Sequence, residues 1–284
     1  MTKAARTEAA VFALLREHAA DQDGLPTTIR FLFYGLEQRG LAQKPQQGDE
    51  RRNCRRSVGW PPGSQDVTDA VTRLRNDGRI RWDWIADTER SLSEWLHAPT
   101  IADYVQERLP EARINPWGAE PPLILTESRG MALALTGVAA AYCCPIAGTK
   151  GQAAGFLRTV IAPLLEDNDR RVRYLGDLDR SGHDIEANTE RVLEQTADRA
   201  IDWERIGLTD EQAKDIEPIW KVDGRDGKGH WAWEAEALGQ AAVVALVRSA
   251  LDAELPGPLA NVLERERGER DRIAAMLEAG EAAP

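Results

Sequence analysis

Tyr174–Ile185 reads YLGDLDRSGHDI. An apolar lead ends in Asp177 and Asp179, one residue apart, and Gly182 follows three later. Three readings compete for two acids at this point of a chain of net charge −11: a calcium loop, a magnesium site and a plain surface turn. For the calcium loop, Asp177, Asp179, Ser181 and Gly182 fit the first, third, fifth and sixth positions. The twelfth is Asn188 where glutamate is needed, and a strand rather than a helix enters. A lone D-x-D is often a capped turn, so its surroundings must decide.

Those surroundings alternate strands with helices. Leu123–Thr126 reads as a first strand with a helix from Met131, and Tyr142–Ile146 as a second with a helix from Gln152 to Leu165. Val172–Gly176 reads as a third, with a helix from Asp184 to Gln195. Further strands are expected near Glu204–Leu208 and Trp231–Glu234, then helices Ala237–Leu255 and Leu259–Glu278. This order argues for an α/β fold, a mostly parallel sheet with helices on both faces. In such sheets ligands sit outside the carboxyl ends of the strands. Glu127 ends the first strand in LILTESRG, and Asp177 and Asp179 end the third. If those strands are neighbours, three carboxylates converge, and like charges stay close only around a cation. Oxygen ligands without His or Cys point to Mg²⁺ or Mn²⁺. His183 reads as a solvent-facing residue at a helix start.

The front of the chain differs. Residues 1–100 hold 15 Lys+Arg against 14 Asp+Glu, and the rest hold 21 against 33. Arginines cluster at Arg51, Arg52, Arg55 and Arg56, and again at Arg73, Arg75, Arg79 and Arg81. The split suggests a polyanion partner for the front and other work for the rear, with a solvated face as the plain alternative. Helices are expected over Lys3–Ala20, from a Thr27 or Thr28 cap to Arg39, and over Gln65–Asp77 with Ser64 as cap, followed by a strand Arg79–Ala86. Val67, Val71 and Leu74 give the third helix a buried edge, with Thr72, Arg73 and Arg75 off it. Three helices and a basic strand have the order of a winged helix, whose third helix would enter the major groove, with a three-helix module that contacts protein rather than DNA as the alternative. A connector over 88–120 carries a short helix, Ile101–Leu109, and separates an N-terminal unit, 1–112, from a C-terminal one, 113–284.

At 284 residues with 42% hydrophobic side chains the chain can bury a core, and no stretch approaches the ~18 apolar residues of a membrane span. The N-terminus lacks a signal-peptide pattern, so a cytoplasmic, nucleoid-associated protein without membrane contact is expected. Cys54, Cys143 and Cys144 have no zinc spacing and read as incidental or buried thiols.

The glutamate after one strand and the D-x-D-x-x-G after another resemble a Toprim domain. Between them, Ala147-Gly148-Thr149-Lys150-Gly151 before a helix resembles the topoisomerase VI A subunit and its meiotic double-strand-break relatives. Thr28–Leu36, TIRFLFYGL, resembles the family's stretch with the catalytic tyrosine and a nearby arginine. The likeness covers about residues 25–250 and is greatest to the compact stand-alone Mini-A type found on mobile elements. It implies a winged-helix domain followed by a Rossmann-like Toprim domain, with Tyr34 as nucleophile, Arg30 beside it, and Glu127, Asp177 and Asp179 as Mg²⁺ acids. Glu127 is then a ligand, a general acid, or both. The implied product is a reversible 5′-phosphotyrosyl break in double-stranded DNA, made by a homodimer in which the tyrosine of one protomer works with the acids of the other. Strand passage in that family needs a separate GHKL-type ATPase, the B subunit.

The residues agree in part. Ile29, Leu32, Phe33 and Leu36 share one helical face and Tyr34 falls opposite, one turn after Arg30; a tyrosine at a domain interface would look the same. A phenol of pKa about 10 needs help to attack near neutral pH, and neighbouring guanidinium charge would favour the phenolate. Arg51, Arg52, Arg55, Arg56, Thr72, Arg73, Arg75 and Lys150 are the expected DNA contacts. Trp233–Leu238, WEAEAL, also resembles a family stretch and reads as a structural edge strand. Two rivals stand beside cleavage through tyrosine: a Toprim nuclease that hydrolyses DNA with water, and a non-catalytic DNA-binding or assembly module.

Overall fold

Thr2 and Thr28 open the first two helices with their own hydroxyls. They accept the N–H of Ala5 and of Phe31, both at 3.3 Å, at the starts of α1 (Lys3–Ala20) and α2 (Ile29–Glu37). A computed structural model describes residues 2–21, 24–44, 60–86, 97–149, 154–166, 168–214, 216–222 and 229–281. Helix α3 (Ser64–Asn76) starts one residue before its expected span. Gly63 is its cap, and the Asp66 carboxylate returns to the Gly63 N–H at 2.8 Å. Gly40 and Gly78 take φ of +65° and +68° just past α2 and α3, a backbone that favours glycine.

The strand expected over Arg79–Ala86 does not form. Trp82–Trp84 is a 3₁₀ turn, and Ile85 alone bridges Thr27. Arg75 draws the chain back onto α3: its guanidinium reaches the carbonyls of Trp82 and Ile85 (2.5 and 2.8 Å) and lies over the Trp82 ring. Among the described residues no hairpin forms between α3 and Ile101.

After α4 (Ile101–Arg108) comes the sheet. Strands β1 (Leu123–Thr126), β2 (Ile146–Gly148), β3 (Val172–Leu175) and β4 (Trp203–Gly207) lie in the order β2-β1-β3-β4, all parallel. The expected neighbours β1 and β3 do pair. β2 begins at Ile146, not Tyr142, because α5 (Arg129–Ala134) and α6 (Thr136–Ala141) run up to the Tyr142 turn. Helix α7 (Ala154–Phe156) continues as a π turn and a 3₁₀ turn to Leu164, and α8 (Arg180–Ala197) follows β3 directly. Beyond β4 and α9 (Asp210–Ala213), the strand Ile219–Val222, not foreseen, pairs antiparallel with Gly229–Ala232; these are β5 and β6. Helices α10 (Gln240–Glu254) and α11 (Leu259–Glu281) end the described chain.

Side chains alternate across the sheet. Leu123 and Leu125 of β1 join Leu157, Ile161, Val172, Tyr174 and Leu193 on one face. Ile124 and Leu175 join the other face, where α10 supplies Val243 and Val247. That second cluster runs on through Leu32, Leu36, Val67 and Leu74, so the N-terminal helices and one face of the sheet share a core. Each such side chain contributes about 1.5–3 kcal/mol on burial. α2 is largely enclosed as a result: Phe31, Leu32, Phe33, Tyr34 and Leu36 are all buried, and Arg30 alone among its described residues is exposed. The wall opposite its apolar stripe is the 3₁₀ turn Ala235–Leu238.

Candidate metal centre

Pairing of β1 with β3 brings their carboxyl ends together. The Glu127 N–H donates to Leu175 O (2.8 Å), and Glu127 Oε2 accepts the N–H of Asp177 (3.1 Å). Asp179 caps α8, its Oδ1 accepting the Gly182 N–H at 2.7 Å. Gly182 itself cannot carry a side chain: a Cβ there would lie 2.2 Å from Asp177 O and 3.3 Å from Glu127 Oε2.

A second piece of chain completes the site. Leu178, between the two aspartates, bridges Trp233 in antiparallel fashion, with N–H···O bonds of 2.9 and 3.2 Å. This clamp sets Glu234 and Glu236 beside the D-x-D loop, and Asp177 Oδ1 accepts the Ala235 N–H at 2.9 Å. Asp177, Glu234 and Glu236 are all buried, and one carboxylate oxygen from each lies within 4.8 Å of the others. This buried acidic triad can hold a metal ion. It differs from the expected set of Glu127, Asp177 and Asp179: Asp177 belongs to both, while Glu127 and Asp179 stand at the flank. WEAEAL is not an edge strand, since β6 stops at Ala232 and Ala235–Leu238 is a 3₁₀ turn. The resemblance alone had marked the segment; the signal that could have found its acids is Glu234 and Glu236 at i, i+2 in an otherwise apolar run.

Three cations enter the acids. Arg30 reaches Glu234 and Glu236, both at 2.8 Å; Lys44 reaches Glu234 at 2.5 Å. Lys221 of β5 lies 2.7 Å from Asp179, 3.0 Å from Glu234 and 3.8 Å from Asp177. Among the described residues five carboxylates therefore face three cations, a formal excess of two negative charges that one divalent cation would cancel. The protonation preferences follow the same geometry. Burial, together with Glu234 and Glu127, lifts Asp177 well above the usual carboxylate range. Burial, with Asp179 nearby, also raises Glu127. Burial acts the same way on Asp179 and Glu234, but it is overcome. Lys221 and the Gly182 N–H hold Asp179 low, and Lys44, Lys221 and Arg30 hold Glu234 low. The donor set is all oxygen, which suits a hard cation.

Tyr34 meets these acids within its own chain. It is 4% exposed, its phenol lies close enough to Glu234 to feel that charge, and Lys44 and Arg30 lie 4.8 and 5.6 Å from the ring centroid. Burial and then Glu234 raise its phenol far above the ordinary value, and Arg30 offsets this only in part.

The expected DNA contacts fare differently. Arg73 pairs with Glu8 at 2.7 Å, Arg75 holds backbone carbonyls, and Thr72 donates to Thr68 O. Arg51, Arg52, Arg55, Arg56 and Lys150 lie outside the described residues, as does Cys54. His183 is exposed in the first turn of α8, and Cys144 is buried. Among the described residues no helix is long and apolar enough to cross a membrane.

No protein-family model matches this chain, and no curated protein and no solved structure matches it either.

Proposed function

We propose that this chain is a metal-dependent DNA-cleaving enzyme of the topoisomerase VI A-subunit type, a winged-helix unit followed by a Toprim unit, with Tyr34 as the nucleophile. One observation carries the reading: Tyr34 and Arg30 from α2 gather in one cluster with Glu127, Asp177, Asp179, Glu234 and Glu236 from the carboxyl end of the sheet and the segment clamped to it. The four-stranded parallel sheet and the three leading helices support it in outline.

The residues divide the work. The Tyr34 oxygen attacks a backbone phosphorus, and its proton passes to the neighbouring Glu234. The bond from phosphorus to the 3′ oxygen breaks, and that oxygen takes a proton from Glu127, whose burial favours the protonated form. Arg30 supplies fixed positive charge beside the reacting phosphate. Asp177, Glu234 and Glu236 would hold the divalent cation, Mg²⁺ or Mn²⁺, whose chemistry when bound is neutralisation of the phosphate oxygens. The product is a break with protein on its 5′ end, reversible because the ester keeps the bond energy. Two copies would cut both strands, and a separate GHKL-type ATPase would be needed for strand passage.

One observation favours a second route. Tyr34 is buried and proton-retaining, so water is the nucleophile that meets a phosphate here without uncovering α2. Incubation with DNA and Mg²⁺, stopped by denaturant, separates the two. Protein joined to 5′ ends in the parent but not in Tyr34→Phe selects the tyrosine route. Free 5′ phosphates that persist in Tyr34→Phe and vanish in Glu127→Ala select hydrolysis. Absence of any metal-dependent cleavage rejects both.

A further inference from the structure

The β5–β6 hairpin turns one face inward and one outward. Lys221 points into the acids, while its neighbour Trp220 is 53% exposed and Trp231, directly across the hairpin, is 56% exposed. The two indoles meet edge to face, with centroids 5.1 Å apart. Trp220 is held in place by an absence. It lies diagonally over Gly229, where an added Cβ would fall 2.1 Å from the six-membered ring. A hairpin that merely tolerated surface tryptophans would not need a bare backbone beneath one of them. The rings also border a cavity of about 680 Å³ between the hairpin and the end of α2, lined in addition by Gln38, Gln43 and Lys44 and by two acids, Glu37 and Glu217. Lys44 lines that cavity and reaches Glu234, so the cavity adjoins the acid centre.

We infer that Trp220 and Trp231 form a stacking platform for an unpaired nucleobase of the DNA strand whose phosphate lies at the acid centre. This rests on the DNA-cleavage reading and sharpens it: the substrate is DNA melted or single-stranded beside the cut. The chemistry matches part by part. Indole faces accept any base, because every base has a π-face. The amides of Gln38 and Gln43 offer donors and acceptors to a base edge. Lys44 and Lys221 carry positive charge on the side where the sugar-phosphate chain must run. Trp231 lies only three residues before Glu234, so base and phosphate positions are tied to one short rigid segment.

The test measures binding without cleavage. Fluorescein-labelled oligothymidylate of about a dozen nucleotides, and a duplex of the same length, are titrated by anisotropy with the full chain in EDTA. Trp220→Ala and Trp231→Ala should each weaken the single strand about tenfold, with a smaller change for the duplex. Gly229→Ala keeps both indoles but displaces one, and should weaken the single strand as well. Equal melting temperatures for parent and variants exclude a folding defect. Binding of the single strand that is absent in the parent, or unchanged in all three variants, overturns the platform. A shift in self-association with unchanged oligonucleotide affinity assigns the rings to a protein contact and also overturns it. The two readings fail separately. A parent that holds oligothymidylate through its tryptophans but never cuts DNA keeps the platform and loses the cleavage. A parent that cuts while its tryptophan variants bind and cut equally does the reverse.

Discussion

β3 carries buried charge at both ends and treats it in opposite ways. Near its start, Arg173 donates to Glu254 of α10 at 2.6 and 2.9 Å, and Arg171 adds a third contact of 2.5 Å to the same carboxylate. The remaining acids there, Asp202 and Glu204, are about 60% exposed and keep their water. Just past its other end, Asp177 and its neighbours are buried with fewer cations than acids among the described residues. A buried charge is costly unless paired. The paired cluster is a clamp that ties α10 to the sheet. The surplus of acids among the described residues is unexplained by stability and calls for a ligand. Its place at the carboxyl ends of parallel strands, where the loops open, is where a sheet of this kind offers a site.

The largest effect expected from this contrast is on cleavage. Asp177→Ala and Glu127→Ala should each lower metal-dependent DNA cleavage by about 10²–10³-fold or more, measured as cut plasmid per minute. Parental rates in both would break the contrast at once. Next comes the clamp. Arg173→Met leaves Glu254 with Arg171 alone and should cost about 3 kcal/mol, a fall of roughly 6–10 °C in melting temperature. Oligonucleotide binding at the far end should not change.

The acid centre should answer in the other direction. Asp177→Asn keeps an acceptor for the Ala235 N–H and removes one uncompensated charge. The metal-free variant should melt a few degrees higher than the parent, by about 1 kcal/mol, and lose the rise that Mg²⁺ gives the parent. A lower melting temperature would mean that Asp177 is already neutralised. pH sharpens the point. Asp177 is raised in the folded state, so between its unfolded pKa of about 4 and its folded value the folded chain binds more protons, and parent stability falls as pH rises. The gap between Asp177→Asn and parent should open as pH is raised from about 4 and close below it. Asp179 and Glu234, held low by their cations, are common to both proteins and lose their contribution as pH falls. The smallest effect belongs to Arg81→Ala. Its pair with Asp83 is exposed on both sides, and removal should leave the melting temperature unchanged.

Legibility followed sequence separation. Leu123–Thr126 was readable to the residue, because an apolar run bounded by Pro121-Pro122 and Glu127 has no other use in an alternating chain. Val67, Val71 and Leu74 gave the buried edge of α3 from spacing alone. The strand expected after α3 failed because Arg75 binds the carbonyls of Trp82 and Ile85, a contact that no alternation pattern encodes. Arg30 meets Glu234 and Glu236 across 204 and 206 residues. From the sequence the two glutamates were a resemblance in WEAEAL, and only the Leu178–Trp233 bridge makes them partners of the aspartates. Tyr34 was legible as lying off the apolar stripe. That this other side is a wall of carboxylates, rather than solvent or a second chain, was not.

By itself the sequence determined the alternation of strands and helices, the caps that start them, and the presence of acids at two strand ends, because period and capping act over a few residues. The tertiary structure alone decided which acids converge, which cations answer them, and that Tyr34 faces them. Those choices depend on the order of strands in the sheet and on a hairpin folded back over its edge, and the energy of a buried charge is set by whatever stands beside it in space.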